Sequence, residues 1–168
     1  MSKAHIERLH ELYAMVAGIP AERINLSAWR RNPVRGAMRV SDGEMLNDCG
    51  TLGCAVGWAC AYPPFKKQGL CWVNSTPTFK DAMGNVWENW NAVEEFFGVQ
   101  HDMAHYLFSD TCYDYPGSAP ERYAFRRIHN EKLLLLARIR TRLLLVGSIT
   151  QARYEELARQ EARGKLTP

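Results

Sequence analysis

The chain has 168 residues, of which 46% are hydrophobic and 23% charged, with a net charge of +3. That length suits one domain with a real core, and that balance suits a soluble globular protein and argues against a disordered chain, apart from the closing RGKLTP. So small a charge does not by itself point to nucleic acid.

Charge is unevenly placed along the chain. Residues 1–40 carry +4, residues 41–120 carry −7, and residues 121–142 carry +5. Either the segments neutralise one another in the fold, or they leave separate acidic and basic patches for a charged partner.

In chain order, Ser2 caps a first helix with Ile6, Leu9, Tyr13 and Val16 at helical spacing, and Gly18 and Pro20 end it. This opening is interrupted by charges and lacks the apolar core of a secretory signal. AERINLSAWRRNPVRG is a helical turn and a connector, with Trp29 as its anchor. SDGEMLND (41–48) is a polar loop. A helix capped by Asp48 or Thr51 then runs to about Tyr62. Gly53, Gly57 and Ala61 line one side of it, so that a neighbouring backbone can approach. It is apolar all round and therefore buried. The uncharged run 49–65 is too short to cross a bilayer and ends at Pro63-Pro64.

Leu70–Val73, Thr78–Phe79 and Val86–Trp87 form a small hairpin or meander around DAMGN. ENWNAVEEFFG and VQHDMAHYLFSD are short helices, and TCYDYPG is a loop. Ser118-x-x-Glu121 is a capping box that opens a long helix stopped by Gly147. Ser148-x-x-Gln151 is a second box that opens the last helix. The expected fold is mainly α, a single helical domain over 1–168 with a minor β-hairpin and a long C-terminal helix. Residues 1–117 bear the motifs, and 118–163 make a C-terminal helical hairpin. On the long helix Ile128, Leu135, Ile139, Leu143 and Val146 form one apolar stripe, and Leu134, Leu145 and Tyr123 lie off it, so the arc is wide enough to predict packing on the last helix and on a second copy in a homodimer.

Four constellations carry candidate chemistry. Cys49, just before a helix, is placed where a helix dipole activates a thiol, which makes a cysteine hydrolase an alternative, but the candidate bases His101, His105 and His129 all lie in predicted helices. The cysteine gaps are not knuckle spacings, so no metal and no cofactor is expected; His101 and His105 make at most half a site. Five cysteines, an odd count, read as reduced cytosolic thiols. Arg122, Arg126, Arg127, Arg138, Arg140 and Arg142 form a basic patch on the long helix, which makes nucleic-acid binding an alternative without a supporting motif. Trp87, Trp90, Phe96, Phe97, Tyr106 and Phe108 read as core, with one or two exposed as anchors.

INLSAW, CGTLGCAVGWA and AVEEFFGVQHDMAHYLF, about residues 24–108, resemble a group of uncharacterised small proteins of tailed phages and prophages. That group shares a Phe/Ile-x-Met/Leu-x-x-Trp segment and a Cys-Gly-Thr-x-x-Cys-x-x-Gly-Trp/His-Ala motif. The resemblance implies a phage setting in a bacterial host cytoplasm and transfers no catalytic residue. It agrees with reading Cys49, Gly50, Thr51, Cys54, Gly57 and Trp58 as fold-defining.

The expected function is that of a phage-type accessory protein, more an inhibitor than an enzyme. It binds and blocks or redirects a host protein, such as a bacterial defence complex, without contacting membrane. The expected contact is the loop with Asp110, Tyr113, Asp114 and Tyr115, which joins tyrosines to negative charge.

Overall fold

The computed structural model describes residues 1–33, 40–47, 50–109 and 131–164. Helices dominate them. Helix α1 spans Lys3–Gly18 and opens on a capping box in which Ser2 and His5 bond reciprocally, with His5 standing where Glu is usual. It buries Leu9, Leu12, Tyr13, Val16 and Ala17. A 3-10 turn follows over Ala21–Arg23.

Two short strands, β1 (Arg30–Arg31) and β2 (Leu52–Gly53), pair antiparallel, Arg30 opposite Gly53. The expected helix from Thr51 is therefore corrected. Cys54 is its N-cap, and helix α3 covers only Ala55–Ala61. Backbone bonds from Asn25 N–H to Gly53 (3.0 Å) and from Cys54 N–H to Ala28 (2.9 Å) hold residues 52–54 extended against 25–30. Every residue of α3 is buried.

The expected polar loop at 41–48 is also corrected, since Asp42–Asn47 form helix α2. Ser41 and Glu44 cap it reciprocally: Ser41 N–H donates to Glu44 at 2.8 Å, and Glu44 N–H to Ser41 Oγ at 3.3 Å. Met45 faces inward and is fully buried. Pro63 opens the single turn α4 (Pro63–Lys66), where its missing N–H costs nothing.

The β region is a three-stranded antiparallel meander of β3 (Leu70–Val73), β4 (Thr76–Lys80) and β5 (Val86–Glu88). Asn74 and Ser75 join β3 to β4 with φ of 49° and 65°, the double left-handed geometry of a tight hairpin. Asp81 accepts the Met83 and Asn85 N–H groups at 2.9 Å each to close the second turn.

Helices α5 (Asn89–Phe97) and α6 (His101–Phe108) flank Gly98. Phe65 meets Phe96 and Phe97 edge-on at 5.3 and 5.9 Å, which joins α4 to α5 in the core.

Helix α7 (Glu131–Leu145) is the described part of the expected long helix; residues 118–130 lie outside the described residues. Its Leu135, Leu136, Ile139 and Leu143 are buried, and it packs on α1, α6 and the last helix, α8 (Gln151–Ala162). Lys132 donates to the Ala17 and Ile19 carbonyls at 2.6 and 2.7 Å, placing a cation at the C-terminal end of α1. Thr150 caps α8 in place of the expected Ser148, which instead bonds His10. Arg140 is not on a solvated face: it forms a buried ion pair with Glu161 of α8, and Glu161 also accepts the Tyr13 hydroxyl at 2.6 Å.

Candidate binding groove

The groove begins with two glycines. A β-carbon on Gly57 would lie 1.7 Å from the Trp29 carbonyl oxygen, and one on Gly53 would lie 2.7 Å from it. Both glycines thus let a backbone approach, but the expected helical ridge of Gly53, Gly57 and Ala61 is corrected, because Gly53 lies on β2 and only Gly57 and Ala61 are on α3. What approaches is the backbone at Trp29, just before β1.

This close seat places Trp29 beside two other tryptophans. Its ring centroid is 6.3 Å from Trp72 on β3 and 5.1 Å from Trp90 on α5, with the planes tilted by 45° and 57°. All three rings are partly exposed. Among the described residues none of their indole N–H groups has an acceptor, whereas buried Trp58 donates its own to the Arg23 carbonyl at 3.2 Å.

Arg30 fastens the floor. Its buried guanidinium donates to the Gly57 carbonyl (3.0 Å) and the Val40 carbonyl (3.2 Å), pairs with Asp42 at 2.8 Å, and lies 4.4 Å from the centre of the Trp72 ring. Asp42 also pairs with Lys66. Burial opposes ionisation of Asp42, but the bonds from Lys66 and Arg30 overcome it and hold its carboxyl below the usual range.

Three adjoining cavities follow the tryptophans. One of about 470 Å³ lies among Val40, Ser41, Glu44, Trp72, Asn74 and Ser75. The next, about 410 Å³, shares Trp72, Asn74 and Ser75 and adds Ser27, Ala28, Trp29 and Arg30. The third, about 130 Å³, shares Ser27 and Trp29 and reaches Trp90, Phe108 and Ser109. The first two are of ligand-binding size, with an aromatic floor and a rim of hydroxyls, an amide and the Glu44 carboxylate.

Of the residues singled out in the sequence, Trp29, Trp90, Cys54 and Phe108 line the third cavity, Gly57 seats Trp29, and the others lie apart from the groove or outside the described residues. Cys54 is buried, and burial pushes its thiol up to about 11, away from nucleophilic reactivity near neutral pH. Cys60 is fully buried and its thiol is also raised by burial. Thr51, Gly57 and Trp58 are buried with Cys54, while Gly50 is partly exposed. His105 packs on Trp90 with ring centres 4.1 Å apart, and His101 pairs with Glu94 at 2.6 Å. Among the described residues no group of three or more His, Cys, Asp or Glu side chains is placed to hold a metal ion.

Of the basic patch, Arg138 donates to the Tyr106 carbonyl and lies 4.2 Å from its ring centre, and Arg142 contacts the Met1 sulfur at 3.2 Å. These two arginines bind their own chain. Cys49, Asp110, Tyr113, Asp114, Tyr115, Arg122, Arg126 and Arg127 lie outside the described residues.

No family model matches this chain, and no curated protein or solved structure is significantly similar to it. No helix among the described residues is long and apolar enough to cross a membrane.

Sequence reasoning placed Trp29 as an anchor and Trp90 in the core, and left Trp72 unassigned. The available signal was Asn74-Ser75, a hairpin turn that fixes Trp72 opposite Pro77.

Proposed function

We propose that this chain is a non-enzymatic accessory protein of phage type. It binds a host protein in the bacterial cytoplasm, such as a defence complex, and blocks or redirects it. The observation that carries this reading is the Trp29–Trp72–Trp90 groove. Tryptophan dominates the energetic centres of protein interfaces, and a rigid aromatic surface loses little entropy on binding. The phage setting rests on the likeness of the Cys-Gly-Thr motif.

The expected contact residues Asp110, Tyr113, Asp114 and Tyr115 follow Ser109 in the sequence, and Ser109 lines the smallest cavity. They stay part of the proposed contact. The long helix from Ser118 into α7 belongs to the same reading. The cysteine-hydrolase alternative stays with Cys49, and Cys54 and Cys60 are buried.

Affinity capture from bacterial lysate, with nuclease treatment and at two salt concentrations, tests the reading. A specific protein that stays bound after nuclease at moderate salt is expected. Capture that vanishes with nuclease would replace the protein partner with a nucleic acid.

A further inference from the structure

We propose that the tryptophan groove takes an uncharged, proline-rich segment of its partner, bound as an extended polyproline helix. This rests on the reading of the groove as the contact surface and names what fits there.

The argument is complementarity of charge and of hydrogen bonding. Among the described residues the guanidinium in the floor is that of Arg30, and it is committed to Asp42 and to two backbone carbonyls. Among the described residues the floor therefore offers no spare cation for a phosphate or carboxylate, and the Glu44 carboxylate on the rim of the first cavity opposes an anion further. What it offers is donors. The indole N–H of Trp29, Trp72 and Trp90 has no acceptor among the described residues, and an indole can only donate.

A ligand matched to that surface brings acceptors, few donors and much apolar area. A proline-rich chain does so. Each proline lacks an N–H, and the polyproline helix makes no internal hydrogen bonds, so its carbonyls stay free. Its rings pack on aromatic faces, and its extended shape is already formed before binding.

Ring geometry agrees. Trp29 is tilted 45° from Trp72 and 57° from Trp90, so the surface is ridged and not flat. A flat sugar face asks for a flat platform, whereas a three-fold helix with projecting pyrrolidine rings fits between ridges. The adjoining cavities let one extended segment pass along Trp72, Trp29 and Ser27.

The test uses the full chain and a poly-L-proline peptide of about 12 residues, or about four turns of polyproline helix. A glycine–serine peptide of equal length and a neutral cello-oligosaccharide serve as comparisons. Binding is followed by the indole N–H signals in proton–nitrogen spectra. Polyproline should saturate and shift the signals of Trp29, Trp72 and Trp90 while leaving Trp58 in place. Trp72→Ala should weaken it by about tenfold or more, as expected for an aromatic anchor. Ser27→Arg changes an exposed rim residue and so guards against misfolding; it should weaken binding as well. No saturable polyproline binding, equal binding of the glycine–serine peptide, or indole shifts with the oligosaccharide alone would overturn the proposal. If polyproline fails while Ser27→Arg still abolishes lysate capture, the ligand class is wrong and the groove stands. If polyproline binds while Ser27→Arg captures as the wild type does, the functional reading is wrong instead.

Discussion

Gly57 lies so close to Trp29 that a β-carbon on it would stand 1.7 Å from the Trp29 carbonyl oxygen. The obstacle is backbone, so it cannot rotate aside as a side chain would. Gly57→Ala should therefore destabilise at the upper end of the roughly 1–3 kcal/mol seen for overpacking, although alanine favours a helix. Denaturant unfolding measures this. Stability equal to wild type would show that the segment before β1 does not sit on α3.

Buried thiols give a chemical prediction. Cys54 and Cys60 should stay unmodified by iodoacetamide at neutral pH in the folded protein and react on unfolding, as peptide mass spectrometry would show. Cys54→Ser should cost about 1–3 kcal/mol by burying a more polar group. Rapid labelling of Cys54 in the native state would contradict its place at the N-cap of α3.

Asp42 sets part of the acid response. Its carboxyl titrates lower in the fold than in the unfolded chain, because the bonds from Lys66 and Arg30 outweigh the effect of burial. The stability it contributes is present above its unfolded pKa, about 3.9, and is lost as pH falls through the lower folded value. Wild type should then lose stability more steeply than Asp42→Asn below about pH 4. Parallel stability curves down to pH 2 would remove this role.

The pair Arg140–Glu161 joins α7 to α8 with both side chains 7% exposed. Glu161→Ala strands the guanidinium and leaves the Tyr13 hydroxyl without its acceptor, so a loss of about 3–5 kcal/mol is expected. Arg140→Met with Glu161→Leu should recover much of it. Equal stability of the double and single variants would show that the stranded charge is not the cause.

Much of the fold was legible in the sequence because local signals agreed with it. Ser2, Gly98 and Gly147 mark helix ends, and DAMGN marks a turn. Where reading failed, a long-range or competing signal was decisive. Leu52 and Gly53 look helical beside GCAVGWA, but the partner that makes them a strand is Arg30–Arg31, some twenty residues away. SDGEMLND looked like loop by composition, although Ser41-x-x-Glu44 is a capping box in plain view. Ser148 and Thr150 both offered caps, and Thr150 won while Ser148 turned to His10. The groove was hidden for a different reason. Trp29, Trp72 and Trp90 come from a connector, a strand and a helix, and no spacing in the chain encodes their meeting.

The central claim is that the groove recognises a partner. Its most direct test is quantitative capture of the same host protein by wild type, Ser27→Arg, Trp72→Ala and Cys49→Ala, with melting temperatures measured alongside. Loss of capture is predicted for the two groove variants, with Ser27→Arg melting as wild type does and Cys49→Ala capturing normally. Undiminished capture by both groove variants, with the biological effect lost only in Cys49→Ala, would contradict the account and identify the chain as an enzyme.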